Sequence, residues 1–455
     1  MLRLTPRSAR TRDRVLTGST RASTRTIYSS PEGGSVRRTV LPGGLRVVSE
    51  QIRGALSSSF GIWIGAGSVD ESQREAGAAH YLEHLLFKGT PRRTALEISA
   101  AIDEVGGEMN AFTEKEHTCF YATVLGSDLP LAIDVVSDLV LRGSMRQEDV
   151  DIERSVVLEE LALRDDDGAD LVHDVFATAV FGDRPIGRPI IGTEQQLRAI
   201  ERSQIRSLYR RHYRPENMVV AAAGQLDHAS LVRRVRKAFD GSLGTASPKA
   251  VRRSSRRAGS ARHTPVSVVN RRSEQAHLIY GVPALDRFDN RRFTLGVLET
   301  ALGGGMSSRL FQEVRERHAL AYSVYSFSSM YAGDGLFGVY AGTAPANAKR
   351  AVGIVQATFA EVAAHGLTAE EIARAKGQLR GNLVLGLEDS GSRMSRLGRS
   401  ELVYGDHKDL PWVLDQIASV TADDVAELAA DLLTRQASLA VVGPFRHGSF
   451  DSVVG

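Results

Sequence analysis

Apolar and polar residues alternate with period two through SSSFGIWIGAGS (57–68), the signature of a β-strand. LPGGLRVVSE reads as a turn and a strand, and MVVAAAG at 218–224, apolar throughout, as a buried strand. EMNAFTEKEHTCFYATVL reads as two strands joined by a charged turn. The spacing becomes helical in AGAAHYLEHLLFKG, which ends near Gly89, ahead of Pro91. Thr94 to Val105 predicts a second helix stopped by Gly106-Gly107. Pro130 to Arg142 predicts an amphipathic helix, and Gln147 to Arg164 a long acidic one. Structure is expected to begin near Val40, with residues 1–37 a disordered Arg-rich tail.

The pattern occurs twice. Residues 129–167 match 347–389 at an offset of about 222: amphipathic helix, Gly turn, acidic helix start, long helix ending in acids. Between the copies, GSLGTASPKAVRRSSRRAGSARHT (241–264) has almost no large apolar residue and reads as a linker. The expected fold class is α+β: two duplicated α/β halves, each a mostly antiparallel sheet packed with helices, joined by a basic linker. The expected domains are 38–240 and 265–446, with a short tail at 447–455.

With 455 residues, 42% hydrophobic, the chain is long enough for two or three domains. No apolar run approaches the length of a membrane span. The single cysteine, Cys119, excludes an intramolecular disulfide and a Cys-rich zinc ribbon. The net charge of +3 is unevenly spread: nine Arg lie in residues 1–40 and six basic residues in the linker. Setting aside those fifteen, and the acids Asp13 and Glu32, leaves 42 basic against 52 acidic residues, a net of −10. That argues against nucleic acid as the partner and for basic peptides.

The candidate chemistry lies in AAHYLEHLLFKGT (78–90). Positions i, i+3 and i+4 share a helix face, so His80, Glu83 and His84 crowd one stripe. Buried polar groups need partners. Two imidazoles can hold one metal ion, and catalytic zinc takes a third protein ligand and a water. Candidates for that ligand are Glu153 and Glu160, two turns apart on one face of the acidic helix. Glu160 is the choice as ligand and Glu153 as the acid that orients a histidine N–H, although spacing alone does not separate the roles. At the repeat offset these acids become Ala375 and Asn382, and the second half has no His-x-x-Glu-His. The first half therefore keeps the acids for something other than folding. His117 reads as a turn or strand residue, His173 as helix packing, and Asp165 to Asp167 as a solvated loop.

HYLEHLLFKGT, GGEMNAFTEKEHTCFYA, ERSVVLEE and GGGMSSRLFQEVRERHALAYSVYS together resemble the pitrilysin and mitochondrial processing peptidase family, most closely its short bacterial members. The resemblance runs from about residue 38 to 445. It implies one zinc ion per chain on His80, His84 and Glu160, with Glu83 as general base and Glu153 in support. It also implies function for Arg315 and Tyr322, which match an Arg and a Tyr seven apart in the family and hold the substrate backbone and transition state from the opposite half of a chamber. MNAFT (109–113) resembles the family's substrate-binding edge strand, which makes Asn110 and Phe112 candidates there. LGGGMSSRL (302–310) resembles the family's glycine-rich loop; no Lys-Ser/Thr follows, so a nucleotide site is rejected.

The expected activity is zinc-dependent hydrolysis of unfolded or extended peptides inside a dimer chamber, with a homodimer preferred and a heterodimer with a related chain as the alternative. Competing readings are a non-catalytic scaffold subunit and a peptide-binding module with structural zinc. The latter would ask for four protein ligands where three are evident. The expected compartment is the bacterial cytoplasm; the Arg-, Ser- and Thr-rich start makes the mitochondrial matrix the alternative.

Overall fold

The computed structural model describes residues 22–29, 34–244 and 263–454. The first sheet has seven strands: β1 (Ser23–Ser29), β2 (Ser35–Val40), β3 (Arg46–Gln51), β4 (Ser57–Ile64), β5 (Glu108–Thr113), β6 (Thr118–Leu125) and β7 (Met218–Gly224). Their order is β1-β2-β3-β7-β4-β6-β5. The second sheet has five: β8 (Val266–Asn270), β9 (Ala276–Pro283), β10 (Ala321–Met330), β11 (Gly335–Thr343) and β12 (Ser438–Gly443), in the order β10-β11-β9-β12-β8. Read from the other edge, this is the β3-β7-β4-β6-β5 arrangement strand for strand. Each sheet is antiparallel except for one pair, β3 with β7 and β12 with β8. The duplication is thus one of topology, and the fold is α+β.

Pairing begins earlier than the sequence indicated. β1 and the first half of β2 lie within the segment 1–37 expected to be tail, yet the two strands pair antiparallel with each other and onto β3. Their charged composition hides this. Arg38 on β2 is buried because its guanidinium reaches Glu401 of the second half, at 3.0 Å from Nε and 2.8 Å from Nη2. Glu401 also accepts from His407 at 2.9 Å. Burial works against its charge, but His407, Arg38 and Arg46 hold its pKa down at about 2. The expected end tail is also structured: Phe450 is fully buried, its ring 5.0 Å from that of Phe445, ahead of a short helix at Asp451–Val454. Of the linker, residues 245–262 lie outside the described residues, as do residues 1–21 of the N-terminal tail.

Helices cover both faces of each sheet. On the first, the motif helix Ala78–Leu86 and the helix Leu129–Arg142 pack against one face. The opposite face, with Val48, Trp63, Cys119 and Val219, is covered by Ser390–Arg399 from the second half. The second sheet is covered in return by Gly168–Phe181 from the first half, whose Phe176 and Val180 meet Ile279, Tyr340 and Ala440. These exchanged helices begin 222 residues apart, at the repeat offset. Gly398 permits the close approach: a Cβ there would sit 2.2 Å from Trp63 Nε1.

Candidate metal centre

The motif helix starts at Gly77, whose φ of +93° and whose would-be Cβ, 2.7 Å from the Ile191 carbonyl oxygen, both call for glycine. Its apolar stripe, Tyr81, Leu82, Leu85 and Leu86, is fully buried against the sheet. That fixes which way the other stripe faces: His80, Glu83 and His84 point toward a second helix, Gln147–Asp166, here called the glutamate helix. The Tyr81 hydroxyl donates to the Val150 carbonyl of that helix and ties the two together.

Glu160 sits between the imidazoles. Its Oε1 is 3.5 Å from His80 Nε2 and its Oε2 is 3.3 Å from His84 Nε2. Tetrahedral ligation at about 2.0–2.1 Å per bond separates neighbouring donors by about 3.3 Å. The three ligating atoms all lie within 4.8 Å of one another. Among the described residues, no other group of three His, Cys, Asp or Glu side chains converges in this way.

The tautomer is also set for a metal. His84 Nδ1 lies 3.2 Å from Glu153 Oε2, a carboxylate to which it can only donate, which leaves the Nε2 lone pair facing Glu160. A lone pair opposite a carboxylate repels unless a cation or proton lies between them. The donor set therefore fits zinc. Glu153 is itself buried, with its other oxygen 2.5 Å from Lys88 Nζ, so the Lys88 charge offsets a carboxylate that would otherwise be costly there. Burial works against a proton on His84, but Glu160 and Glu153 more than offset it and raise the His84 pKa. Where a proton rather than a cation lies between them, hydrogen bonding to His80 and His84 holds Glu160 well below the usual carboxylate range.

Glu83 lies beside this set. Its Oε2 accepts from Thr113 Oγ1 at 2.5 Å, at the end of β5. Burial raises its pKa, which makes it a stronger base than a surface glutamate. Asn110 and Phe112 on the same strand face the other way. Met109 and Ala111 pack toward the core under the motif helix, whereas the Phe112 ring is 5.6 Å from that of Trp63, on the opposite side of the sheet. Asn110 accepts from the neighbouring Ala111 N–H at 2.8 Å. The strand is nevertheless the edge of the sheet, with no further strand paired to its outer side among the described residues.

Arg315 and Tyr322 stand together on the second half. Arg315 Nη1 donates to the Tyr322 carbonyl at 3.0 Å, and its guanidinium lies 4.8 Å from the Tyr322 and Phe311 rings. Tyr322 is 80% exposed, and the hydrogen bond, ion pair and ring contacts of the two residues all fall within 311–322 of the second half. His117 is buried and stacks on Trp63 at 5.3 Å. His173 donates to or accepts from the Tyr325 hydroxyl at 3.0 Å, among aromatic rings of the second sheet. Asp165 pairs with Arg164, and Asp167 caps the exchanged helix Gly168–Phe181 by accepting from Ala169 and Asp170 N–H.

Besides Lys88, two groups escaped sequence reasoning. Glu71, buried, caps the motif helix: its carboxylate accepts from Gly77 N–H at 3.0 Å and Ala79 N–H at 2.6 Å. Burial pushes its pKa up to about 8, opposed by those two hydrogen bonds. The other is Glu299, on the helix Arg292–Gly303 that follows β9 as the motif helix follows β4. It accepts from Ser328 Oγ on the edge strand β10 at 2.5 Å, as Glu83 does from Thr113 on β5. GVLETAL (296–302) thus stands where the first half has HYLEHLL, with Gly296 and Thr300 in place of the histidines. The base position survives in the second copy while the ligands do not. The signal was present but displaced, since the offset here is 216 rather than 222.

Two copies of one α+β fold, the first holding a His–His–Glu donor set and the second stripped of it, define a class of two-lobed proteins with a single metal-type site. The comparisons narrow that class. Residues 46–194 match the family model described as Insulinase (Peptidase family M16), and residues 199–379 match that of the Peptidase M16 inactive domain. The chain belongs to peptidase family M16. It is 53% identical over 433 residues to an uncharacterized zinc protease of Streptomyces coelicolor, covering 93% of each chain. It is 36% identical to an uncharacterized zinc protease, YmxG, of Bacillus subtilis, covering 90% of this chain and 98% of that one. Among solved structures, a protease from Helicobacter pylori matches with a TM-score of 0.81 at 21% identity, covering 90% of this chain and 99% of that one. A peptidase M16 inactive domain from Pseudomonas fluorescens matches with a TM-score of 0.80 at 18% identity, covering 93% and 98%. At those identities the structures speak for the fold alone. Among the described residues no helix is long and apolar enough to cross a membrane.

Proposed function

We propose that this protein is a zinc metalloendopeptidase that cleaves unfolded or extended peptides, with the metal on His80, His84 and Glu160. The convergence of those three donors beside a half-buried glutamate is the observation that carries it. A zinc ion held there supplies Lewis acidity, polarising the scissile carbonyl and bringing the pKa of water toward about 7. Glu83 takes the proton from the attacking water and passes it to the leaving amine. Thr113 holds the Glu83 carboxylate in place for both transfers. Glu153 keeps the His84 ring oriented through Nδ1. The substrate adds as an extended strand along β5, by main-chain pairing. Asn110 and Phe112 pair their backbones with β6 and turn their side chains to the far side of the sheet, so the main-chain groups offered to the substrate are those of Met109, Ala111 and Thr113.

In this reading residues 38–240 form the catalytic domain and 265–446 the domain that presents Arg315 and Tyr322. The exposure of Tyr322, and contacts of the pair that stay within 311–322, support a homodimer in which each pair faces the partner's site. Tyr322 then donates to the oxyanion and Arg315 holds the substrate backbone. The acidic balance of the folded parts favours basic peptides. The relatives named above are bacterial, which supports a bacterial cytoplasm over a mitochondrial matrix.

The test combines metal analysis with cleavage of an unstructured peptide. The expected result is one zinc per chain, cleavage abolished by chelator and restored by zinc, and a Glu83→Gln variant that retains zinc but loses at least 100-fold in kcat. Undiminished cleavage by Glu83→Gln, or by metal-free protein, would overturn the proposal.

A further inference from the structure

The motif helix is only nine residues long, too short to hold its place by its own hydrogen bonds. Its ligands occupy the first two turns, so whatever fixes its start fixes them. That anchor comes from the loop before it. Ser68 N–H donates to the Glu114 carbonyl at 3.2 Å and Val69 N–H to the Lys115 carbonyl at 2.9 Å, which sews the loop to the turn between β5 and β6. Gly67 N–H donates to Asp70 Oδ2 at 2.9 Å and closes the loop on itself. A Cβ on Gly67 would meet the Glu114 carbonyl oxygen at 2.2 Å, so the approach requires glycine.

From this loop Glu71, only 4% exposed, extends its carboxylate over the N-terminus of the motif helix. Each oxygen accepts one backbone N–H, from Gly77 and from Ala79. Arg188, the nearby cation, donates to the Glu71 backbone carbonyl rather than to the carboxylate. The charged form of this carboxyl is costly without an ion-pair partner, as its raised pKa shows, and the two backbone hydrogen bonds and the positive end of the helix offset that cost only in part. A local Ser or Thr cap would satisfy one N–H. Two oxygens on two N–H groups also set the rotation of the helix about its axis. Rotation matters because a one-residue slip turns each side chain by about 100° and would carry both imidazoles away from Glu160.

The motif helix is thus held to the β5–β6 hairpin twice: by Glu71 through the turn, and by Glu83 through Thr113. We propose that Glu71 is a positioning residue for the metal ligands, fixing the register of the motif helix against the substrate-bearing edge strand. The proposal rests on the zinc-peptidase reading above.

The experiment compares wild type, Glu71→Gln and Glu71→Ala. It measures zinc affinity by competition with a chelator, kcat and KM on a peptide, and thermal melting of the metal-free protein. Gln retains one acceptor and Ala none. Zinc affinity is expected to fall at least 10-fold in Glu71→Gln and further in Glu71→Ala. The kcat should fall with it while KM stays within threefold and the metal-free melting temperature within a few degrees. Unchanged zinc affinity in both variants would overturn the proposal. So would an affinity lost only in step with the fold, since that is capping for stability alone. If Glu71→Ala does not fold, Glu71→Gln against wild type decides by the same two criteria. Wild type that binds no zinc would instead remove the zinc-peptidase reading, an outcome visible before any variant is made.

Discussion

At His84 the chemistry is decided by neighbours rather than by the histidine. Glu153 accepts a hydrogen bond from its Nδ1–H, Lys88 balances the charge on Glu153, and the lone pair left at Nε2 faces Glu160. His80, Glu83 and His84 were legible because helical spacing alone puts them on one face. The choice between Glu153 and Glu160 was not, because both lie on one stripe and only the packing distance separates them. Lys88 and Glu71 were invisible for the same reason, each acting on a group that tertiary contact brings to it. The second-half carboxylate Glu299 offers a test at this scale. Burial lifts its pKa to about 7, above the unfolded value of about 4.3. Such a carboxyl contributes stability that is complete below about pH 4 and lost as pH rises through 7. Glu299→Gln, which cannot ionise, is therefore predicted to gain on wild type between about pH 5 and 8, by on the order of 3 kcal/mol at full ionisation. Melting curves measured across that window check this; a constant difference in melting temperature would contradict it.

Among the elements, those with a clean period were readable. The helix expected at Thr94–Val105 is found at Ala95–Asp103, with Thr94 accepting from Glu97 N–H as its cap. The acidic helix expected at Gln147–Arg164 runs from Gln147 to Asp166. β1 and β2 were missed because their polar positions are satisfied far along the chain. Arg38 finds Glu401 in the other half, and no local pattern announces a partner 363 residues away. The helix Ser390–Arg399 was equally opaque: SGSRMSRLGR looks like a surface helix, yet Met394, Leu397 and Gly398 lie buried on the first sheet. Gly398→Val is predicted to destabilise the protein by about 2 kcal/mol or more, because its Cβ would overlap the Trp63 ring. Denaturant midpoints measure this, and an unchanged midpoint would mean the helix does not dock as described.

For the whole molecule, the exchange of helices makes each sheet depend on the other half for one of its faces. The two-half organisation was legible from the repeat, but the exchange was not, because a repeat offset shows which segments correspond and not which sheet each covers. Although multidomain chains commonly unfold in steps, these halves are predicted to unfold together. The chain has two tryptophans, Trp63 under the exchanged helix of the first sheet and Trp412 against Phe293 in the second half. In a Trp412→Phe variant, fluorescence reports Trp63 alone, and its midpoint should coincide with that from far-UV circular dichroism. Separated midpoints would show that the halves fold independently.

The most direct measurement is an anomalous difference map recorded at the zinc absorption edge from crystals of the zinc-loaded protein. One peak per chain is predicted, about 2.0–2.2 Å from His80 Nε2, His84 Nε2 and a Glu160 carboxylate oxygen, with Glu83 adjacent but unbound. A peak ligated elsewhere, or no peak in protein saturated with zinc, would contradict the metal centre on which the proposed activity depends.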